Sequence, residues 1–131
     1  MFTSIKTSKY NKELVTHLTR RLNLGAENVI ARIAFAYSLA RDRKMDLTAI
    51  QDSQGKEYST KVLFGEYKDY YVALVCVHYN LYKTDKDIAR YVKMHIDDGL
   101  ELIDQEVAKK STLTGDEFLI NAIEKGLKQL A

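Results

Sequence analysis

Four basic residues, Lys9, Lys12, Arg20 and Arg21, fall in one segment whose leucines, Leu14, Leu18 and Leu22, repeat every four positions. That spacing predicts a helix with an apolar stripe. Its lysines stand at the N-terminal end and its arginines near the C-terminal end. Lys6 precedes this helix, and Arg41, Arg43 and Lys44 follow the next one. Lys and Arg arrayed in this way suit phosphate. They need no catalytic geometry, and each contact adds sequence-independent affinity that salt weakens. The free N–H groups of a helix N-terminus beside Lys9 and Lys12 would favour the same ligand. The other reading of Arg41, Arg43 and Lys44 is that they complement a helix C-terminus.

The charge is distributed unevenly. Residues 1–44 hold nine Lys/Arg against three acids, residues 45–96 seven of each, and residues 97–131 four Lys against eight acids. A net charge of +2 therefore spans a basic end at +6 and an acidic end at −4. Such a molecule is suited to a polyanion, with nucleic acid the leading candidate, unless the charges only solvate helix faces.

Other chemistries find little support. His17, His78 and His95 form no H-x-H or H-E-x-x-H pattern, and the single Cys76 offers no zinc cluster. Asp97, Glu101 and Asp104, beside Asp98, would share a helical face that could hold magnesium, although such runs are usually solvated. Cys76 lies in the most apolar segment and reads as packing. None of the six glycines forms a dinucleotide or Walker loop. No metal and no cofactor are expected, and no enzymatic activity. The longest apolar run, Val72 to Val77, is far too short to span a bilayer. With no export signal and one cysteine, a cytoplasmic protein is expected.

The elements that must position these residues are mostly helical. A short strand or arm is expected over Phe2–Thr7, then helices over 9–22, 26–40, 66–82, 85–103 and 114–130. Ser8 is a fitting N-cap for the first, and Thr84 and Thr114 head capping-box patterns for the last two. Between Asp46 and Gly65 the periodicity changes, and Gln54-Gly55 predicts a turn between Leu47–Ile50 and Tyr58–Phe64. One all-α domain over 1–131, of about five helices with a minor β element, is expected. The third helix, apolar on nearly every side from Tyr70 to Val77, is expected at the centre.

The order strand, helix, glycine turn, helix is that of a ribbon-helix-helix module. More specifically, Ser8-Lys9, Lys12-Glu13, Leu18-x-Arg20-Arg21, Asn28-Val29-x-x-Arg32-x-Ala34-Phe35-x-x-Ser38-Leu39, Val62-Leu63-Phe64-Gly65-Glu66-Tyr67, Ala73-Leu74, and His95 with Gly99-Leu100 together resemble the DndE family. DndE is the small subunit of bacterial DNA sulfur-modification (phosphorothioation) systems. The resemblance spans about residues 5–103 and leaves 105–131 as an additional C-terminal helix. It implies a helical, oligomeric, non-catalytic DNA-binding subunit that works beside a sulfurtransferase-like subunit and an ATPase.

Arg32 is the only charge between Asn28 and Ala40, and the family pattern places Glu66 beside it, so a structural ion pair between them is expected. Phe35 and Leu39 project away from the Val29/Ile30/Ile33/Tyr37 face and are expected at an interface of a homo-oligomer. Two rival readings remain open: a ribbon-helix-helix repressor or antitoxin, and a nuclease using Asp97, Glu101 and Asp104. For the first, the strand lacks clean parity, because Phe2/Ser4/Lys6 and Thr3/Ile5/Thr7 each mix polar and apolar side chains.

Overall fold

The computed structural model describes residues 2–130. Two short strands, β1 (Ser4–Lys6) and β2 (Glu57–Ser59), accompany six helices. These are α1 (Lys9–Leu22), α2 (Glu27–Leu39), a five-residue α3 (Thr60–Phe64), α4 (Lys68–Tyr79), α5 (Ile88–Lys109) and α6 (Gly115–Leu130). The fold is mostly α with a small sheet, as expected.

α5 is the axis of the molecule. Ile88, Val92, Ile96, Leu100, Ile103 and Val107 recur at three- and four-residue spacing, and all are buried. The most extensive helix contact is between α2 and α5. The closest approach is at Gly99, where a Cβ would lie 1.9 Å from the Ala34 carbonyl oxygen. Only a glycine allows the backbones to meet there. The expectation that the third long helix is central fails. α4 buries only Val72 and Val75, and Val77 on its opposite side is 83% exposed.

α1 starts where Ser8 caps it, its hydroxyl accepting from the Asn11 N–H at 3.3 Å. It ends at Asn23 in the left-handed conformation, and Gly25, with φ at 138°, turns the chain into α2. Its inner face is Asn11, Val15, Leu18 and Leu22. α6 docks by one end: Phe118 is buried against Tyr37 with ring centroids 5.4 Å apart, and a Cβ on Gly115 would meet the Leu22 carbonyl at 1.8 Å.

The segments flanking Gln54-Gly55 do not pair with each other. Leu47–Ala49 is a turn of 3-10 helix, and β2 pairs antiparallel with β1, Ile5 opposite Tyr58. Both of these side chains face the core, while Ser4 and Lys6 face solvent. The strand that a ribbon-helix-helix repressor would use for base readout is thus paired within its own chain.

Phe35 is completely buried, in edge contact with Phe64 and Tyr71 at 5.5 and 5.9 Å. The expected interface role of Phe35 is therefore corrected. The Asp46–Gly65 segment and α3 cover this side of α2 within the chain, and Leu39 is half-buried against the same core.

Candidate nucleic-acid interface

The basic side chains separate into free and engaged sets. Lys6, Lys9, Lys12, Arg20, Arg41 and Lys44 are exposed, and among the described residues none of them forms an ion pair. At 100° per residue, Lys9 and Arg20 share the side of α1 facing away from Val15, Leu18 and Leu22, and Lys12 stands at its flank. Glu13 stands beside them, also exposed.

Arg21 and Arg43 behave otherwise. Arg21 reaches the loop between α5 and α6, donating to the carbonyls of Leu113, Lys110 and Ser111, the last two at 3.2 Å. Arg43 pairs with Asp98. Each is held by residues more than fifty positions away, so each has a structural partner within the chain. The expected ion pair of Arg32 is corrected. The Arg32 Nε donates to the Leu63 carbonyl at 2.6 Å, and Asn28 donates to the Val62 carbonyl at 3.2 Å. Among the described residues no ion pair joins Arg32 to Glu66, which is exposed. The physical reason is the shortness of α3. A one-turn helix leaves its last carbonyls without partners, and a guanidinium fork satisfies them without a carboxylate.

The N-terminus of α1 is also not an open anion site. The Lys9 N–H donates to Asp52 at 2.9 Å and the Ser8 N–H to Asp97 at 3.1 Å. Two carboxylates from this chain occupy the place a phosphate would take, so phosphate contact there falls to the side chains of Lys9 and Lys12. The Lys9 and Gln54 N–H groups hold Asp52 below the usual carboxylate range.

Asp97 is buried within a polar cluster. Besides Ser8 it accepts from the Asn11 amide and the Lys93 ammonium, both at 2.7 Å. Glu101 accepts from Gln51 at 2.7 Å and from Asn11 at 3.3 Å, and Asp104 lies 4.0 Å from His17. Among the described residues no group of three or more His, Cys, Asp or Glu side chains is arranged to hold a metal ion. Asp97 and Glu101, two of the three carboxylates a nuclease would need there, are already taken by donors of the protein.

A second polar chain links α2, α4, α5 and the basic 41–45 loop. Ser38 Oγ lies 2.6 Å from Asp98 and 2.7 Å from His95 Nδ1, while the Tyr79 hydroxyl meets His95 Nε2 and accepts the Met45 N–H at 3.1 Å. The proton positions follow. Asp98, paired with Arg43, can only accept, so the Ser38 hydroxyl donates to it. Ser38 Oγ must then accept from His95 Nδ1–H, which leaves Nε2 to accept from Tyr79. His95 is neutral, its pKa pushed down to about 4, first by burial and then by the neighbouring His78. Burial raises the Tyr79 hydroxyl. His78 donates from Nε2 to the Arg43 carbonyl at 2.6 Å. Ser38 and His95 are 1% and 0% exposed, so this Ser–His–Asp grouping has no route to a substrate. It ties the basic loop to the core.

The sequence signal for these residues was polar side chains on buried phases. Asn11 lies in line with Val15, Leu18 and Leu22, and Lys93 and Asp97 are four apart within the apolar repeat of α5.

No curated protein matches this chain. Among solved structures, the crystal structure of DndE from Escherichia coli B7A, described as involved in DNA phosphorothioation modification, is similar with a TM-score of 0.64 at 15% identity. The match covers 79% of this chain and 98% of that one, which shows a shared fold. Residues 4–111 match the family described as DNA sulphur modification protein DndE. With the first five helices of the fold inside that match and α6 beyond it, this chain belongs to the DndE family.

Proposed function

We propose that this chain is a non-catalytic, DNA-binding subunit of a DNA phosphorothioation complex, contacting the DNA backbone through its basic N-terminal half. The observation that carries this reading is the set of exposed, unpaired basic side chains at Lys6, Lys9, Lys12, Arg20, Arg41 and Lys44. A sulfur-modification system acts on DNA phosphate, and the family membership makes DNA the polyanion to test. The catalytic steps fall to other subunits, a sulfurtransferase-like protein and an ATPase, in the cytoplasm. The proposal needs no metal and no cofactor.

Binding to duplex DNA, measured across a salt series with the wild type and a Lys6/Lys9/Lys12/Arg20 to Ala variant, tests it. The expected result is weaker binding on every DNA sequence and a log K against log[salt] slope shallower by about 0.9 per lost contact. A variant that folds normally and keeps both affinity and slope would refute it.

A further inference from the structure

The geometry points to a binding site for a small amphiphilic carboxylate in the groove between α2 and α6. The groove has a volume of about 620 Å³, within the range of roughly 300–1,000 Å³ usual for small-ligand sites. One wall is a face of α2, where Ile33, Ala36, Tyr37 and Ala40 recur at helical spacing. The other is α6, with Phe118, Ala122 and Gly126 each four apart. This second wall lies outside residues 4–111, the part of the chain shared with the family.

The two helices meet at one end only. Gly115 and Phe118, at the start of α6, are its buried residues, and Phe118 closes that end against Tyr37. Further along, small residues stand on both sides, Ala36 and Ala40 on one and Ala122 and Gly126 on the other. A Cβ built on Gly126 meets no atom within 4 Å, so the chain does not fill this stretch of the groove itself. An apolar body lodged there would gain the packing contacts that the facing helices do not give each other.

The polar groups of the groove specify the other end of the ligand. Arg41 and Lys125 are its cations, and among the described residues neither forms an ion pair. Glu106 is the one carboxylate in the lining, and the Lys110 ammonium 4.0 Å away already answers its charge. The balance favours an anion. Burial first, and then the Glu106 charge, raises the Tyr37 hydroxyl, so it stays protonated and can donate. A guanidinium fork matches a planar carboxylate, and Glu106 nearby makes a monoanion more suitable than a dianion.

Arg41 is also one of the exposed cations assigned to DNA, so the site is tested without DNA and its failure would leave that reading intact. Isothermal titration of the full chain with octanoate should show one saturable site. Amide NMR shifts should centre on Ala36, Ala40, Ala122 and Gly126. Octanol, the same alkyl chain without the charge, should bind at least about tenfold more weakly, the worth of a hydrogen bond to a charged group. Arg41→Gln should erase that difference. Lys128→Gln, an equal loss of charge at an exposed α6 position outside the groove, should preserve it. Gly126→Trp, whose side chain enters open space, should block both ligands. An absence of saturable binding at millimolar octanoate would overturn the proposal. So would equal affinities for octanoate and octanol, a preference that survives Arg41→Gln, or octanoate binding undiminished in a normally folded Gly126→Trp protein.

Discussion

Asp97 and Asp98 are consecutive on α5 and hold opposite ends of the basic half of the chain. Asp97 takes the Ser8 N–H and the Asn11 amide at the start of α1, and Asp98 takes the Ser38 hydroxyl and Arg43 at the end of α2. Consecutive helical residues point about 100° apart, so one turn of α5 can address two different neighbours. The free cations at Lys9 and Lys12 and those at Arg41 and Lys44 are thereby anchored to one level of the central helix. Two basic segments separated by about thirty residues of sequence become a single rigid arrangement.

Loss of Asp97 should cost more stability than loss of a surface acid. Asp97→Ala leaves the Lys93 ammonium buried without its carboxylate and the Ser8 N–H without an acceptor. Breaking a buried pair in this way costs about 3–5 kcal/mol. The double variant Lys93→Met with Asp97→Leu should recover part of that loss, because no charge is then stranded. Urea unfolding of the three proteins checks it. Equal midpoints for wild type and Asp97→Ala would show that the pair contributes nothing.

His95 should remain neutral over the range where an ordinary imidazole titrates. Its pKa of about 4 in the folded protein lies below the 6.5 of a free histidine. The unfolded state therefore binds the proton first, and the contribution of His95 to stability is complete above about pH 6.5 and falls as the pH drops toward 4. Nitrogen NMR should report the Nδ1–H form unchanged from about pH 8 to pH 5. An imidazolium signal at pH 5.5, roughly one unit below the free value, would contradict the hydrogen-bond order from Tyr79 to Asp98.

Much of this architecture was legible beforehand. Ser8, the Leu18 and Leu22 repeat and Gly25 define α1 and its exit, and Thr114 does accept at the start of α6, from the Glu117 N–H at 3.1 Å. The centre of the fold was not legible. α4 looks central because it is apolar all round, yet one side faces solvent. α5 looks peripheral because it carries Lys93, Asp97 and Asp98, yet Lys93 pairs with Asp97 within the helix and both aspartates take donors from other elements. Composition cannot reveal a partner 55 or 89 residues away. The same distance effect separates Arg20 from Arg21 and Lys44 from Arg43, pairs alike in sequence and unlike in structure.

Gly99→Ala should destabilise the fold without touching any basic residue. The added methyl would stand 1.9 Å from the Ala34 carbonyl oxygen, and backbone on both sides cannot yield as a flexible side chain would. Forcing α2 away from α5 should cost about 1–3 kcal/mol, the range for overpacking a tight core. Gly126, with nothing near its Cβ position, is the control: Gly126→Ala on α6 should be neutral or slightly stabilising. Melting temperatures of the two variants decide, and equal shifts would show that the α2–α5 crossing is not tight.

The neighbouring arginines of α1 should divide between binding and stability. Arg20 is exposed and unpaired, so Arg20→Ala should lower DNA affinity, make the salt slope shallower by about 0.9 and leave the unfolding midpoint nearly unchanged. Arg21 donates to three carbonyls of the loop that leads into α6, so Arg21→Ala should release that loop and lower stability by about 1–3 kcal/mol. Its salt slope should match the wild type. Lys44 and Arg43 should repeat the division at the end of α2, because Arg43 is held by Asp98 while Lys44 is free. Four single variants measured for both unfolding and salt dependence give the answer. If Arg21→Ala and Arg43→Ala reduced the slope as much as Arg20→Ala and Lys44→Ala, local charge rather than tertiary engagement would determine which cations meet phosphate.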